Sequence, residues 1–149
     1  MSWQTYTPKQ MGDACEMLIA ALVTLAGVPA MRMPDNWPSY DVIARPKEGG
    51  PPQRISVKAR TFKRGGDSFV DYWGKDEFDW LAIVLLPPSG EDQSKRRFFI
   101  VPRTVADALT AGRKTKKPDD RYWRLDKVAE ALSEFEDNFC LSKTGRNPK

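Results

Sequence analysis

Ile55-Ser56-Val57-Lys58-Ala59-Arg60 alternates apolar and polar side chains without a break. A strand turns successive side chains to opposite faces, so Ile55, Val57 and Ala59 share one face and Ser56, Lys58 and Arg60 the other. The same character extends the strand over residues 53–61. Just upstream, Tyr40-Asp41-Val42-Ile43-Ala44 reads as a second strand, apolar except for the aspartate near its start. Between the two lies Arg45-Pro-Lys-Glu-Gly-Gly-Pro-Pro52, whose turn residues suit a polar hairpin loop. Such a hairpin brings Asp41 beside Lys58.

Working back towards the N-terminus, Asp35-Asn36-Trp37-Pro38 is turn chemistry, and residues 28–33 form a short strand stopped by Pro34. Before that, Thr7 supplies an N-cap and Pro8 fits the first turn of a helix. Met11, Cys15, Leu18, Leu22 and Leu25 recur at helical spacing until Gly27 ends it. Glu16 sits in the middle of this helix, one turn from Gly12 and Ala20, whose small side chains leave space around the carboxylate.

Working forward, residues 71–79 read as irregular or a short helix. Trp80-Leu-Ala-Ile-Val-Leu-Leu86 is a continuous apolar run of strand length, suited to a central strand covered on both faces. Arg97-Phe-Phe-Ile-Val-Pro102 is the next strand, followed by a short helix over residues 104–109. Residues 111–120 form a basic loop and residues 122–124 a small extra strand. A last helix runs from Asp126 to about Phe139. The order predicts one α/β domain over residues 1–149, a mixed β-sheet flanked by helices, with residues 111–149 as a C-terminal basic loop and helix.

Composition narrows the chemistry. The 149 residues contain no histidine, which excludes Ser-His-Asp and Cys-His catalysis and histidine-based zinc sites. Cys15 and Cys140, both in segments that read as helical, are expected to be reduced core thiols, a disulfide between them being the alternative. No apolar run reaches the length of a membrane span and the N-terminus lacks the pattern of a secretory signal, so a cytoplasmic protein without membrane contact is expected. The net charge of +4 is unevenly placed: residues 45–66 carry seven bases and one acid, residues 67–94 one base and seven acids, and residues 95–127 eleven bases and four acids. Basic blocks of this kind suit a polyanion, although a solvated face explains any single one.

Gly12-Asp-Ala-Cys-Glu16, Ser39-Tyr-Asp41-Val-Ile-Ala and Ile55-Ser-Val-Lys58, in that order, resemble the PD-(D/E)xK nuclease superfamily. The layout is similar to Holliday-junction-resolvase-like members and to intron-encoded homing endonucleases with this fold. The resemblance spans about residues 9–109 and implies a restriction-endonuclease-like fold. It further implies a Mg²⁺ (or Mn²⁺) ion held by Asp41 and Glu16 with the Val57 carbonyl, and Lys58 orienting water or stabilising phosphate. Ser56 stands where the superfamily has Glu, Asp or, in some branches, Gln. Catalytic positions are therefore Glu16, Asp41, Ser56 and Lys58, with two carboxylates and not three. Arg45, Lys47, Arg54, Arg60, Lys63, Arg64, Arg113, Lys114, Lys116 and Lys117 are the candidate nucleic-acid contacts, DNA being the expected partner. Trp37, Tyr40, Tyr72 and Trp73 either stack on bases or pack over the sheet. A metal-dependent DNA endonuclease leads; a non-catalytic nucleic-acid-binding or scaffold domain of the same fold is the alternative. Related nucleases often dimerise, which leaves a homodimer open.

Overall fold

The computed structural model describes residues 4–46, 49–62, 69–112 and 120–145. Helix α1 (Pro8–Leu25) starts as its sequence dictates. The Thr7 hydroxyl accepts from the Gln10 N–H at 3.1 Å, and the Gln10 side chain accepts from the Thr7 N–H at 2.9 Å, so both free donors are satisfied. Short strands β1 (Ala30–Arg32) and β2 (Val42–Ala44) follow, then β3 (Gln53–Thr61). Next come β4 (Phe69–Trp73), β5 (Trp80–Leu86), β6 (Arg97–Pro102) and helix α2 (Arg103–Leu109). Strands β7 (Ala111–Gly112) and β8 (Asp120–Arg124) precede a short helix α3 (Val128–Ala131).

Five strands make the main sheet in the order β1-β2-β3-β5-β6, and β4-β8-β7 make a second, smaller sheet. β3 and β5 run parallel while every other pair is antiparallel, so the expected mixed sheet is present. Every residue of β5 is buried, in keeping with its continuous apolar run. Its alternate residues divide the core: Trp80, Ala82, Val84 and Leu86 pack with Cys15, Ile19 and Val23 of α1, whereas Leu81, Ile83 and Leu85 pack with Val70, Tyr72, Trp123 and Leu132. Each face of the strand therefore has its own apolar cover, one from α1 and one shared by the second sheet, α2 and the C-terminal helical turns.

Three expectations fail for tertiary reasons. Residues 111–120 are not loop throughout, because residues 111–112 form β7 and pair with β8, which itself begins at residue 120. Residues 71–79 are neither irregular throughout nor helical, because residues 69–73 form β4 and pair with β8 about fifty positions later, Val70 facing Trp123. The final helix over residues 126–139 is broken. Helical turn persists only at residues 125–127, Val128–Ala131 and 133–135, and beyond these the chain is captured by β6. Glu136 bridges Phe99, its carboxylate pairs with Arg97 at 2.8 Å, and buried Asn138 donates to the Ile100 carbonyl at 3.0 Å. Contacts to a sheet edge thus outweigh local helix propensity. Both cysteines are free thiols, but only Cys15 is in the core as expected; Cys140 consequently lies outside any helix and is exposed. Among the described residues, no helix is long and apolar enough to cross a membrane.

Candidate active site

Asp41 stands where β2 and β3 part. Val42 is still in register with Ile55, and the Asp41 N–H donates to the Ile55 carbonyl at 2.9 Å. The next rung is made by the side chain: the Val57 N–H donates to Asp41 Oδ2 at 2.8 Å. The carboxylate takes the place of a backbone partner and is fixed by the strand it faces. Burial lifts its carboxyl above the ordinary range and Asp76 adds to the rise, against the Val57 N–H and the charges of Lys58 and Arg32.

On β3, Ile55, Val57 and Ala59 join the core under α1, which leaves Ser56, Lys58 and Arg60 on the opposite face, as the alternation predicts. Ser56 is 3% exposed, in register with Leu81. Lys58 is half-buried and has no hydrogen-bond or ion-pair partner among the described residues, although its charge acts on Asp41. Its Nζ is not one of the buried unpartnered side-chain atoms, so the ammonium reaches solvent and its donors are free to meet a phosphate.

Glu16 projects from α1, and a side chain added at Gly12 would meet open space, as its spacing predicts. Burial raises the Glu16 carboxyl and Asp41 adds to the rise, while a hydrogen bond from Arg32 opposes it. The two carboxylates therefore repel one another at short enough range to be felt. Arg32 is the neighbour that motif reading missed: its Nε donates to Glu16 Oε1 at 2.8 Å. A lone base in a short strand beside four acids within the first 44 residues was the available signal.

An ion of the Mg²⁺ class takes hard oxygens, keeps several waters and needs only one or two carboxylates. Glu16 and Asp41 are such donors. Each has one oxygen engaged within the protein and makes no hydrogen bond through the other among the described residues. A cation between them would relieve their repulsion, so the donor chemistry fits. No three His, Cys, Asp or Glu residues gather as a metal cluster among the described residues, in keeping with a serine at position 56.

The expected nucleic-acid contacts separate. Arg45 is exposed. Arg54 is held by Asp79 through Nε at 3.1 Å and Nη2 at 3.1 Å, and Arg60 by Asp71 at 3.0 Å and the Phe69 carbonyl at 3.0 Å, so both guanidiniums secure neighbouring strands. Lys47, Lys63, Arg64, Arg113, Lys114, Lys116 and Lys117 lie outside the described residues. Of the aromatics, Tyr72 is core: it is 2% exposed, packs edge-on to Phe78 and donates to Asp107 at 2.7 Å. Trp37 and Trp73 are exposed, at 45% and 52%.

No protein-family model and no curated protein matches the sequence. Among solved structures, that of a bacterial homing endonuclease, I-Ssp6803I, aligns with a TM-score of 0.51 at 18% identity, covering 67% of this chain and 72% of that one. At this identity the likeness speaks for architecture alone, and on that ground the chain has a nuclease-like fold.

Proposed function

We propose that this protein is a metal-dependent endonuclease that hydrolyses DNA phosphodiester bonds, a single domain built on the PD-(D/E)xK plan. The observation that carries the reading is Lys58: half-buried, without a partner among the described residues, and beside a desolvated aspartate pinned by the Val57 N–H. Asp41 is the central ligand of a Mg²⁺ or Mn²⁺ ion and Glu16 a further ligand, direct or through water, with the Val57 carbonyl as an additional oxygen. When bound, the ion supplies Lewis-acid stabilisation of the phosphate and lowers the pKa of a water. Asp41 is held rigid by β3, so its orientation costs little to maintain. Lys58 presents a compact positive charge to the phosphate oxygens or the attacking water, and burial strengthens that charge's effect. Exposed Arg45 and the basic segments at residues 63–64 and 113–117 contact backbone phosphates.

The homing endonuclease alignment supports DNA as the partner by analogy of fold. A second reading is favoured by one observation: Glu16 is already bonded to Arg32 and Ser56 is neutral, the state expected of a nuclease fold retained only for nucleic-acid binding. Incubation with supercoiled, linear and branched DNA in Mg²⁺ or Mn²⁺ separates the two. The endonuclease reading expects nicking that vanishes with EDTA and with Asp41→Ala. Salt-sensitive DNA binding with no cleavage in either metal would establish the binding module instead.

A further inference from the structure

Arg32 is an unusually well-anchored cation beside the candidate site. From β1 its Nε reaches Glu16 Oε1 at 2.8 Å, and its Nη2 reaches Asp13 Oδ1 at 2.7 Å and Asp35 Oδ1 at 2.9 Å. Lys9 closes the outer side of the cluster on Asp13 at 2.8 Å and on Asp35 at 3.5 Å. In charge terms, Lys9 and Arg32 offset Asp13 and Asp35, which leaves Glu16, Asp41 and the nearby Asp76 against Lys58, a net negative charge. That excess attracts a cation. The guanidinium already seated on Glu16 repels it.

We propose that Arg32 is a resident cation that holds Glu16 while no metal is bound and competes with the metal for it, acting as a brake on metal loading. The proposal rests on the reading of Asp41 and Glu16 as metal ligands. Two features suit Arg32 to this role. It engages Glu16 through one oxygen by a single N–H, not by the bidentate fork that would lock the pair. It also keeps Asp13 and Asp35 when Glu16 turns away, so releasing the glutamate strands no charge and the contact re-forms once the ion leaves. A lysine at this position would lack the fork that serves three carboxylates at once.

The test is calorimetry of Mn²⁺ binding to the full chain as wild type, Arg32→Gln and Asp41→Asn. Removing a unit charge several ångströms from a divalent ion should tighten Mn²⁺ binding on the order of tenfold in Arg32→Gln, with a lower melting temperature in the absence of metal. Binding equal to or weaker than wild type in Arg32→Gln, while Asp41→Asn loses its heat, overturns the brake and leaves the metal ligands standing. No Mn²⁺ heat in either wild type or Arg32→Gln overturns the ligand reading and the brake with it. A second measurement needs no variant that must fold: the Arg32 Nε–H resonance of the wild type should shift and exchange faster as Mg²⁺ is added. A resonance unmoved at saturating Mg²⁺ overturns the proposal.

Discussion

The Val57 N–H donates to Asp41 Oδ2 at 2.8 Å, so a side chain completes a ladder that the backbone of β2 has already left. The bond fixes the aspartate on the strand that carries Lys58, and the two charges act on each other across the splay. An active site at this point needs both the acid and the base; a binding surface needs neither.

Lys58→Met and Asp41→Ala should each lower any metal-dependent DNA cleavage by at least about a hundredfold, because each removes charge stabilisation at the reacting phosphate. DNA affinity measured by anisotropy should change little in Lys58→Met and hold or rise in Asp41→Ala, which loses a negative charge near the phosphate. Wild-type cleavage rates in both variants would place the activity elsewhere.

Ser56 shares the face of Lys58 and is 3% exposed, in register with Leu81. If the proposed PD-(D/E)xK plan holds, Ser56→Glu supplies the acid that plan carries there and should tighten Mg²⁺ binding. Without metal the added carboxylate is buried near Asp41, so the melting temperature should fall, and saturating Mg²⁺ should recover it. Thermal melts with and without Mg²⁺ check the pair of effects. A melting temperature indifferent to Mg²⁺ would show that position 56 and Asp41 share no metal.

Arg54 and Asp79 tie β3 to the entrance of β5, through the side chain and through the Arg54 N–H at 2.8 Å. Burial alone would lift the Asp79 carboxyl, but the Arg54 hydrogen bonds outweigh it and hold the group below the ordinary aspartate value. A carboxyl depressed in the folded state stabilises the fold above its unfolded value, about 3.9, and that contribution is lost as pH falls through the folded value. Asp79→Asn should therefore cost about 1 kcal/mol at pH 7, given the partial exposure of the pair, and the gap to wild type should narrow below about pH 4. Urea midpoints at both pH values measure it, and a gap that widens in acid would contradict the sign.

Tyr72 and Trp73 are adjacent and face opposite ways. Tyr72→Ala should destabilise the fold by about 3–5 kcal/mol, since its ring is buried against Phe78 and Trp123. Trp73→Ala should leave stability within about 0.5 kcal/mol, and if the exposed ring stacks on a base it should weaken DNA binding by about 1–3 kcal/mol. Denaturation and binding isotherms on the two variants separate packing from stacking.

Local pattern was enough for the elements that position Asp41 and Lys58. The Thr7 cap, the helical spacing through Leu25, the strict alternation of Ile55 to Arg60 and the apolar run at Trp80 each carry their meaning within one element, because periodicity and capping are short-range physics. The order of those elements likewise announced a mixed sheet with an aspartate and a lysine on neighbouring strands. Tertiary structure decided whatever depends on partners distant in the chain. Phe69–Trp73 is a strand only because Asp120–Arg124 pairs with it, and residues 136–139 abandon their helix for β6. Arg54 and Arg60 looked like phosphate contacts by charge alone, yet Asp79 and Asp71, remote in sequence, hold them. The same holds for Arg32: nothing local to β1 says that its guanidinium will meet Glu16 from α1. Charge is visible in a sequence, but which opposite charge neutralises it is settled only when the chain folds.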